Sequence, residues 1–271
     1  MSAIKRKQRG YIGMHGAGGG VQRIPLTISS NQTVQYNIFT AASSPATRVI
    51  VTLTINAGVV LQAGLTTGSG WVAGSGVSII NNGTIAGIGG ARNGSTGDGG
   101  AVVGTSASPG QDGQPGGDAV ALTIGVSIDN TSGNIFGGGG QGAGGGGGVE
   151  FGGSQKTGGG GGGGGRGYNA ATGGAGGASG GGADGSAGNA GSSAAAGTGG
   201  AGGSLSFAHG GAGGGGGDWG QAGSSGSSGT GGTSHGSGGS GGAGGFAVRL
   251  NGNSITWVGG NNGTQVKGSV A

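Results

Sequence analysis

Hydrophobic and polar positions alternate over the first half of the chain. Ile24, Leu26 and Ile28 are separated by Pro25 and Thr27, and Val34, Tyr36 and Ile38 by Gln35 and Asn37. The run Val49-Ile50-Val51-Thr52-Leu53-Thr54-Ile55 is rich in β-branched residues, and Asn56-Ala57-Gly58 turns it into Val59-Val60-Leu61. A two-residue period sends successive side chains to opposite faces of a strand, and β-branched residues suit that pleated surface. No window repeats its apolar residues at helical spacing. The pattern predicts strands over residues 21–136 and almost no α-helix.

A strand-turn unit recurs within this pattern. Val77-Ser78-Ile79-Ile80-Asn81-Asn82-Gly83-Thr84-Ile85-Ala86-Gly87 is echoed by residues Val126 to Gly137, and more loosely by Val248 to Gly259. Each copy reads as strand, Asn/Gly turn, strand and glycine, with turn residues that tolerate positive φ. Repetition of this kind predicts β-helix-like coils or a small sheet. The third copy would bring the chain back to that sheet and clamp whatever lies between.

What lies between has almost no hydrophobic pattern. Glycine makes up 88 of the 271 residues and is densest from 137 to 245, in blocks such as Gly144 to Gly148 and the unbroken run Gly158 to Gly165. Glycine loses more entropy on folding than any other residue and adds no side chain to a core. The region is therefore a flexible linker, or an architecture that needs the side chain to be missing. Collagen demands abundant proline and glycine at every third position. With 4 prolines, none after Pro115, and glycines that read as blocks, collagen is excluded. A bundle of extended polyglycine helices remains, each with three residues per turn, about 3.1 Å of rise per residue and no internal hydrogen bonds. Every backbone group must then bond to a neighbouring helix. The expected fold class is all-β and irregular, a strand-turn region followed by a bundle of polyglycine helices, with almost no α-helix. The expected organisation is a basic arm at 1–20, a β-rich region at 21–136, the bundle at 137–245 and a β return at 246–271.

Composition narrows the function. Charged residues are 7% and aromatics 4%, too few for an ordinary soluble domain and too little charge for polyampholyte disorder. There are no cysteines for disulfides or thiolate metal sites. No apolar run nears the roughly 20 residues of a membrane span, and no apolar segment follows the basic residues as in a signal peptide. The net charge of +4 is concentrated in Lys5, Arg6, Lys7 and Arg9. That arm could solvate or touch phosphates. The preferred reading is docking into a partner protein, with Tyr11, Ile12 and Met14 as anchors.

Catalysis finds little footing. Asp98, Asp112, Asp118, Asp129, Glu150, Asp184 and Asp218 mostly stand alone beside glycine, whereas polysaccharide cleavage uses paired carboxylates or a histidine with an orienting acid. His209 and His235 could approach Asp218, although solvated loop histidines are the simpler reading. Asp112 and Asp118 lack the closing glutamate of a calcium loop. No enzyme activity, cofactor or metal site is expected.

Between the glycine blocks lie 149–157, 166–172, 183–196, 204–209 and 218–235, which carry Phe151, Tyr168, Phe207 and Trp219. Glycine blocks divided by aromatic-tipped loops, entered through the Ile79 to Ile85 turn, resemble the glycine-rich receptor-binding adhesins at bacteriophage tail-fibre tips. The resemblance covers about residues 77–260. The first 70 residues do not match the tryptophan-rich attachment domain of those adhesins. The resemblance implies a polyglycine-II sandwich whose distal loops select a host outer-surface protein or polysaccharide. It also implies a place on the virion, other phage tail proteins as partners, an oligomeric assembly such as a trimer, and neither nucleic-acid binding nor membrane insertion. If successive helices alternate in direction, Phe151, Gln155, Lys156, Asp184, Asn189, Asp218, Trp219, Gln221 and His235 face the receptor. Arg166, Tyr168, Asn169, Phe207 and His209 then form a second set beside the sheet. Lys5, Arg6, Lys7, Arg9 and Tyr11 would attach the virion. The competing reading is a structural cell-wall, coat or fibre protein whose loops merely solvate.

Overall fold

The computed structural model of the chain describes residues 21–271 apart from 151 and 153. The alternating half winds into a three-faced parallel β-helix. Its first coil contributes strand Gln22–Ile28, a bridge at Gln32, and Tyr36–Asn37. The second contributes Val49–Ile55, Val60–Leu61 and Leu65–Thr66, and the third Gly76–Asn81, Thr84–Ala86 and Val120–Ala121. The fourth contributes Val126–Asp129, Asn134–Phe136 and Val248–Arg249, and the fifth Ile255–Gly259, Val266–Lys267 and a bridge at Val270. Equivalent strands of successive coils pair in parallel on every face.

Parallel register stacks like on like. Leu26, Leu53, Ile79, Ile128 and Trp257 form one column, Leu61, Ile85, Ile135 and Val266 a second, and Tyr36, Leu65, Val120 and Val248 a third. The members in the middle coils are fully buried and those at either end half-exposed. Each buried aliphatic side chain contributes roughly 1.5–3 kcal/mol. Asparagines stack at one corner: buried Asn81 donates through Nδ2 to Asn130 Oδ1 at 2.7 Å, and Asn130 donates to the Gly260 carbonyl at 2.9 Å.

Two local expectations are corrected. Ile38 begins a helical turn, Ile38–Ala41, because the Asn37 side chain accepts the Thr40 N–H at 3.1 Å and caps it, while Val34 is exposed. The looser third repeat is out of step: Val248–Arg249 lies on a different face from Val77 and Val126, and the true counterpart of those residues is Ile255.

The glycine-rich sequence leaves the β-helix at one corner, between the second and third faces. The second coil crosses that corner through Gln62, Ala63 and Gly64, the third makes an excursion over 87–119, and the fourth an excursion over 137–247. These excursions supply ten extended segments, at 87–102, 108–118, 137–148, 157–166, 171–178, 183–192, 197–203, 210–217, 221–230 and 236–246, joined by backbone hydrogen bonds between segments. The lattice thus begins about fifty residues earlier than expected.

Its bonding steps through three directions. In the third segment the N–H groups of Gly138, Gln141, Gly144 and Gly147 bond the second segment. Those of Gly139, Gly142 and Gly145 bond the fourth, and those of Gly140, Ala143 and Gly146 bond the ninth. Its carbonyls accept from the first, eighth and tenth. The fourth segment is surrounded in the same way by the first, third, fifth, sixth, seventh and eighth. A period of three is what a helix of three residues per turn produces, and six neighbours make a hexagonal array. Both central segments are buried throughout, apart from Arg166 at the end of the fourth. The pairing registers also show that each segment runs opposite to the one before it.

The number of neighbours dictates where glycine is obligatory. A side chain anywhere on a fully surrounded segment meets another backbone, which explains the run Gly158 to Gly165. A Cβ at Gly161 would overlap the Gly174 carbonyl, one at Gly162 the Gly142 carbonyl, and one at Gly163 the Gly197 carbonyl. Peripheral segments need glycine only on their inward column. The triplet period that the blocks concealed therefore exists, in Gly110-Gln111-Asp112-Gly113-Gln114-Pro115-Gly116 and in Gly223-Ser224-Ser225-Gly226-Ser227-Ser228-Gly229, whose other residues mostly face solvent. Gln141 and the small Ala143, both fully buried, are the exceptions in the third segment. The first segment breaks into turns over 94–97, and the buried Gln141 side chain reaches into that region, donating to Thr96 O at 3.2 Å and accepting from Gln114 N at 3.0 Å.

Two neighbouring glycines test this account. Gly214→Ala would drive a methyl into the Ser224 carbonyl, whereas at Gly215 the nearest atom is the Gly197 oxygen at 3.7 Å. Thermal or chemical denaturation should show G214A losing about 1–3 kcal/mol or more and G215A unchanged or stabilised by about 0.4–1 kcal/mol. Equal losses would refute a lattice in which glycine is required column by column.

Candidate functional site: the loops at the free end of the lattice

Alternating direction sorts every connection to one of two ends. At the end joined to the β-helix lie the turns 166–171, 192–196 and 218–220. At the free end lie the hairpin Val102–Val103/Ser106–Ala107 and the loops 149–157, 178–183, 203–210 and 229–236. The expected segmentation is corrected here. Residues 183–196 and 218–235 are not single loops; each contains a complete extended segment, made inconspicuous by its serines and alanines.

The loop residues named from sequence divide accordingly. Gln155, Lys156, Phe207, His209 and His235 stand at the free end. Asp184 opens the sixth segment near that end, and Asn189 sits on its flank, bonded to Thr198 Oγ1 at 2.6 Å. Arg166, Tyr168, Asn169, Asp218, Trp219 and Gln221 gather at the β-helix end. Phe207 and Trp219 thus exchange the ends expected of them: Phe207 is 73% exposed and Trp219 only 4%. Phe151, and Lys5, Arg6, Lys7, Arg9 and Tyr11, lie outside the described residues.

The free-end loops brace one another. Lys156–Thr157 and Ser234–His235 flank Gly148–Val149 as an antiparallel three-stranded sheet. His209 and Thr230 exchange main-chain bonds of 3.0 and 2.7 Å, and Ser204 Oγ lies 2.9 Å from His209 Nδ1. Gln155 Oε1 accepts the Phe207 N–H at 2.9 Å, which holds the loop bearing the exposed ring. Ala107 N donates to Ser234 Oγ at 3.1 Å, and Val102 N to Ala178 O at 2.8 Å, so the hairpin and the 178–183 turn join the same platform. The hairpin carries Val103, 77% exposed, an apolar residue at the tip that the sequence reading missed. Asp184 accepts the Ser179 N–H at 2.6 Å, and that bonding holds its carboxyl below the usual carboxylate range. Among the described residues no group of three His, Cys, Asp or Glu side chains could hold a metal ion. Asp112 and Asp118 are engaged elsewhere: Asp112 accepts from Ser240 N at 2.6 Å, and Asp118 pairs with Arg249 and accepts from Phe246 N. Asp218 is at the opposite end of the lattice from His209 and His235.

The β-helix end is an aromatic joint. Trp219 packs between Phe136, the last residue of a β-helix strand, at 5.5 Å and Tyr168 at 5.7 Å between ring centroids. Arg166 lies over the indole at 5.3 Å, pairs with Asp218 at 2.6 Å and donates to Ser193 O at 3.0 Å. One guanidinium therefore ties all three near-end turns together. Partial burial pushes the Asp218 carboxyl up. The hydrogen bonds from Arg166 and Trp219 N–H, with the charges of Arg166 and Lys267, outweigh that and leave it below the ordinary value.

A rigid core that holds one face of mutually braced loops away from its base is the build of a binding protein. The chain belongs to the phage tail fibre adhesin Gp38 family, whose model matches residues 23–271. It is a receptor-binding adhesin of a phage tail fibre. A solved structure, the gp37-gp38 adhesin tip complex of the bacteriophage S16 long tail fibre, is similar over 93% of this chain and 82% of that one, with 25% identity and a TM-score of 0.52. No curated protein sequence matches significantly.

The joint predicts a pH dependence. A carboxylate with a depressed folded pKa stabilises above its unfolded value and loses that contribution as pH falls through the folded one. The melting temperature should therefore drop more steeply below about pH 4 for the native protein than for Asp218→Asn. Parallel curves would show that the Arg166–Asp218 pair contributes nothing measurable.

Proposed function

We propose that the adhesin contacts its receptor through the five free-end loops and connects to the rest of the fibre through the β-helix part of the molecule. One observation carries this reading: all five loops interlock into a single face at the end of the lattice away from the β-helix. The face projects far from its base, since an extended segment such as 137–148 spans roughly 35 Å at about 3.1 Å per residue. Loops on a rigid scaffold lose little entropy on binding, and an exposed aromatic held by its backbone is a good anchor. Phe207, Val103, Gln155, Lys156, His209 and His235 are the contacts we favour. The ten segments themselves are best described as a polyglycine-II sandwich.

The reading is one of recognition rather than catalysis, because Asp218 is separated from His209 and His235 by the length of the lattice. The similar solved adhesin is complexed with gp37, which supports another tail protein as the partner here. A host-surface protein or polysaccharide is the receptor. The basic arm, with Lys5, Arg6, Lys7, Arg9 and Tyr11, remains our proposal for part of the contact with the fibre.

Adsorption and melting separate the two ends. Phe207→Ala should reduce binding of the purified adhesin to host cells by about tenfold or more, with stability unchanged within about 0.5 kcal/mol. Trp219→Ala should instead destabilise by about 3–5 kcal/mol. Full adsorption by F207A with impaired adsorption by a fully stable W219A would place the receptor face at the wrong end.

A further inference from the structure

We propose a second binding site, for an uncharged sugar, on the side of the β-helix where its third face turns back into its first. The second coil makes that corner through the loop 67–75, and the third and fourth coils through 122–125 and 250–254. Together they border an open cleft of about 360 Å³, bounded by Ser69, Trp71, Val72, Thr123, Ile124 and Asn253. The cleft lies on the β-helix, apart from the free-end loops to which receptor binding is assigned.

The aromatic in this cleft is held in place. Trp71 Nε1 donates to the carbonyls of Thr67 at 3.2 Å and Gly68 at 3.0 Å, and the ring meets Phe39 edge-on with centroids 5.0 Å apart. The indole N–H is therefore satisfied internally, and what half-buried Trp71 can offer a ligand is ring surface. The loop is equally constrained. Gly68, Gly70 and Gly74 all have positive φ, and a Cβ at Gly68 or Gly70 would press into Phe39. Arg48 braces the loop by donating from Nε to Gly74 O at 2.8 Å.

Chemistry chooses the ligand class. Among the described residues no charged side chain lines the cleft, and Arg48 lies outside that lining with its Nε engaged on Gly74 O, which favours a neutral ligand over an ion. Hydroxyls and an amide are present beside the indole. Asn253 uses its Nδ2 on the carbonyls of Leu250, Asn251 and Leu122, which leaves its Oδ1 to accept from a ligand, alongside the exposed Ser69 hydroxyl. A fixed aromatic surface for the C–H face of a ring, with neutral donors and acceptors at its edge, is a site for a pyranose. Being on the flank, it would meet strands of surface glycan while the tip reaches past them.

The test uses the whole purified adhesin and an array of neutral oligosaccharides built from glucose, galactose or mannose, with acidic oligosaccharides as controls. Saturation-transfer NMR should detect binding of at least one neutral member, and binding should weaken about tenfold in Trp71→Ala, the worth of one aromatic contact. Ala73→Tyr, which crowds the cleft from an exposed loop position, should weaken it similarly and guards against misfolding of W71A. Phe207→Ala should leave it intact, so the flank site and the tip reading can fail separately. Absence of binding across the array, selective binding of the acidic controls, or equal binding by the native protein and A73Y would each overturn the proposal.

Discussion

A buried peptide group must find a hydrogen-bond partner, and in this molecule that requirement does the organising that a hydrophobic core does elsewhere. The central segments are removed from water on all sides and have almost no side chains to contribute. Each N–H and C=O is instead directed, in turn, at one of six neighbouring backbones. A typical bond contributes about 0.5–1.5 kcal/mol net, against about 1–2 kcal/mol for fixing a residue. The array does not stand comfortably by itself. The β-helix, with its stacked aliphatic columns, supplies the missing burial and holds both ends of each excursion at one corner. Gly87 N bonds Phe136 O and Gly137 N bonds Lys267 O, so the segments begin as a continuation of the β-helix ladder.

Much of this was legible in sequence. The period-2 runs and the paired Val77 and Val126 repeats announce stacked coils because in-register parallel stacking favours like residues at like positions. The glycine run from 158 to 165 announces a fully surrounded segment because nothing else tolerates a side chain nowhere. What was hidden had physical reasons too. Peripheral segments such as 183–192 and 221–230 face solvent along most of their circumference. They carry Ser, Ala and Asn there and look like loops. Mistaking 183–192 for part of a loop left the inferred direction wrong from there on, until the second such error at 221–230 restored it, and Phe207 and Trp219, which lie between the two, changed places as a result. The hairpin bearing Val103 went unnoticed because the lattice begins inside what read as β-structure.

The two ends of the lattice also divide the aromatic residues by task. Trp219 and Tyr168 fill the seam between two dissimilar architectures, where large flat rings cover irregular surface and a guanidinium satisfies the nearby turns. Phe207 is held in solvent by its own main chain. Composition alone could not distinguish these roles, since both kinds of residue stand in short stretches between glycine blocks. Only the count of segments separates them.

The return of each excursion to the corner it left has a consequence of parity. Because every segment reverses the one before, a path that departs from the β-helix and comes back must contain an even number of segments, and the two excursions hold two and eight. A related chain could enlarge or shrink its array only by whole out-and-back pairs, and each pair would add or remove one loop at the free end. The repertoire of recognition elements is thereby quantised, while the length of any individual loop is left open.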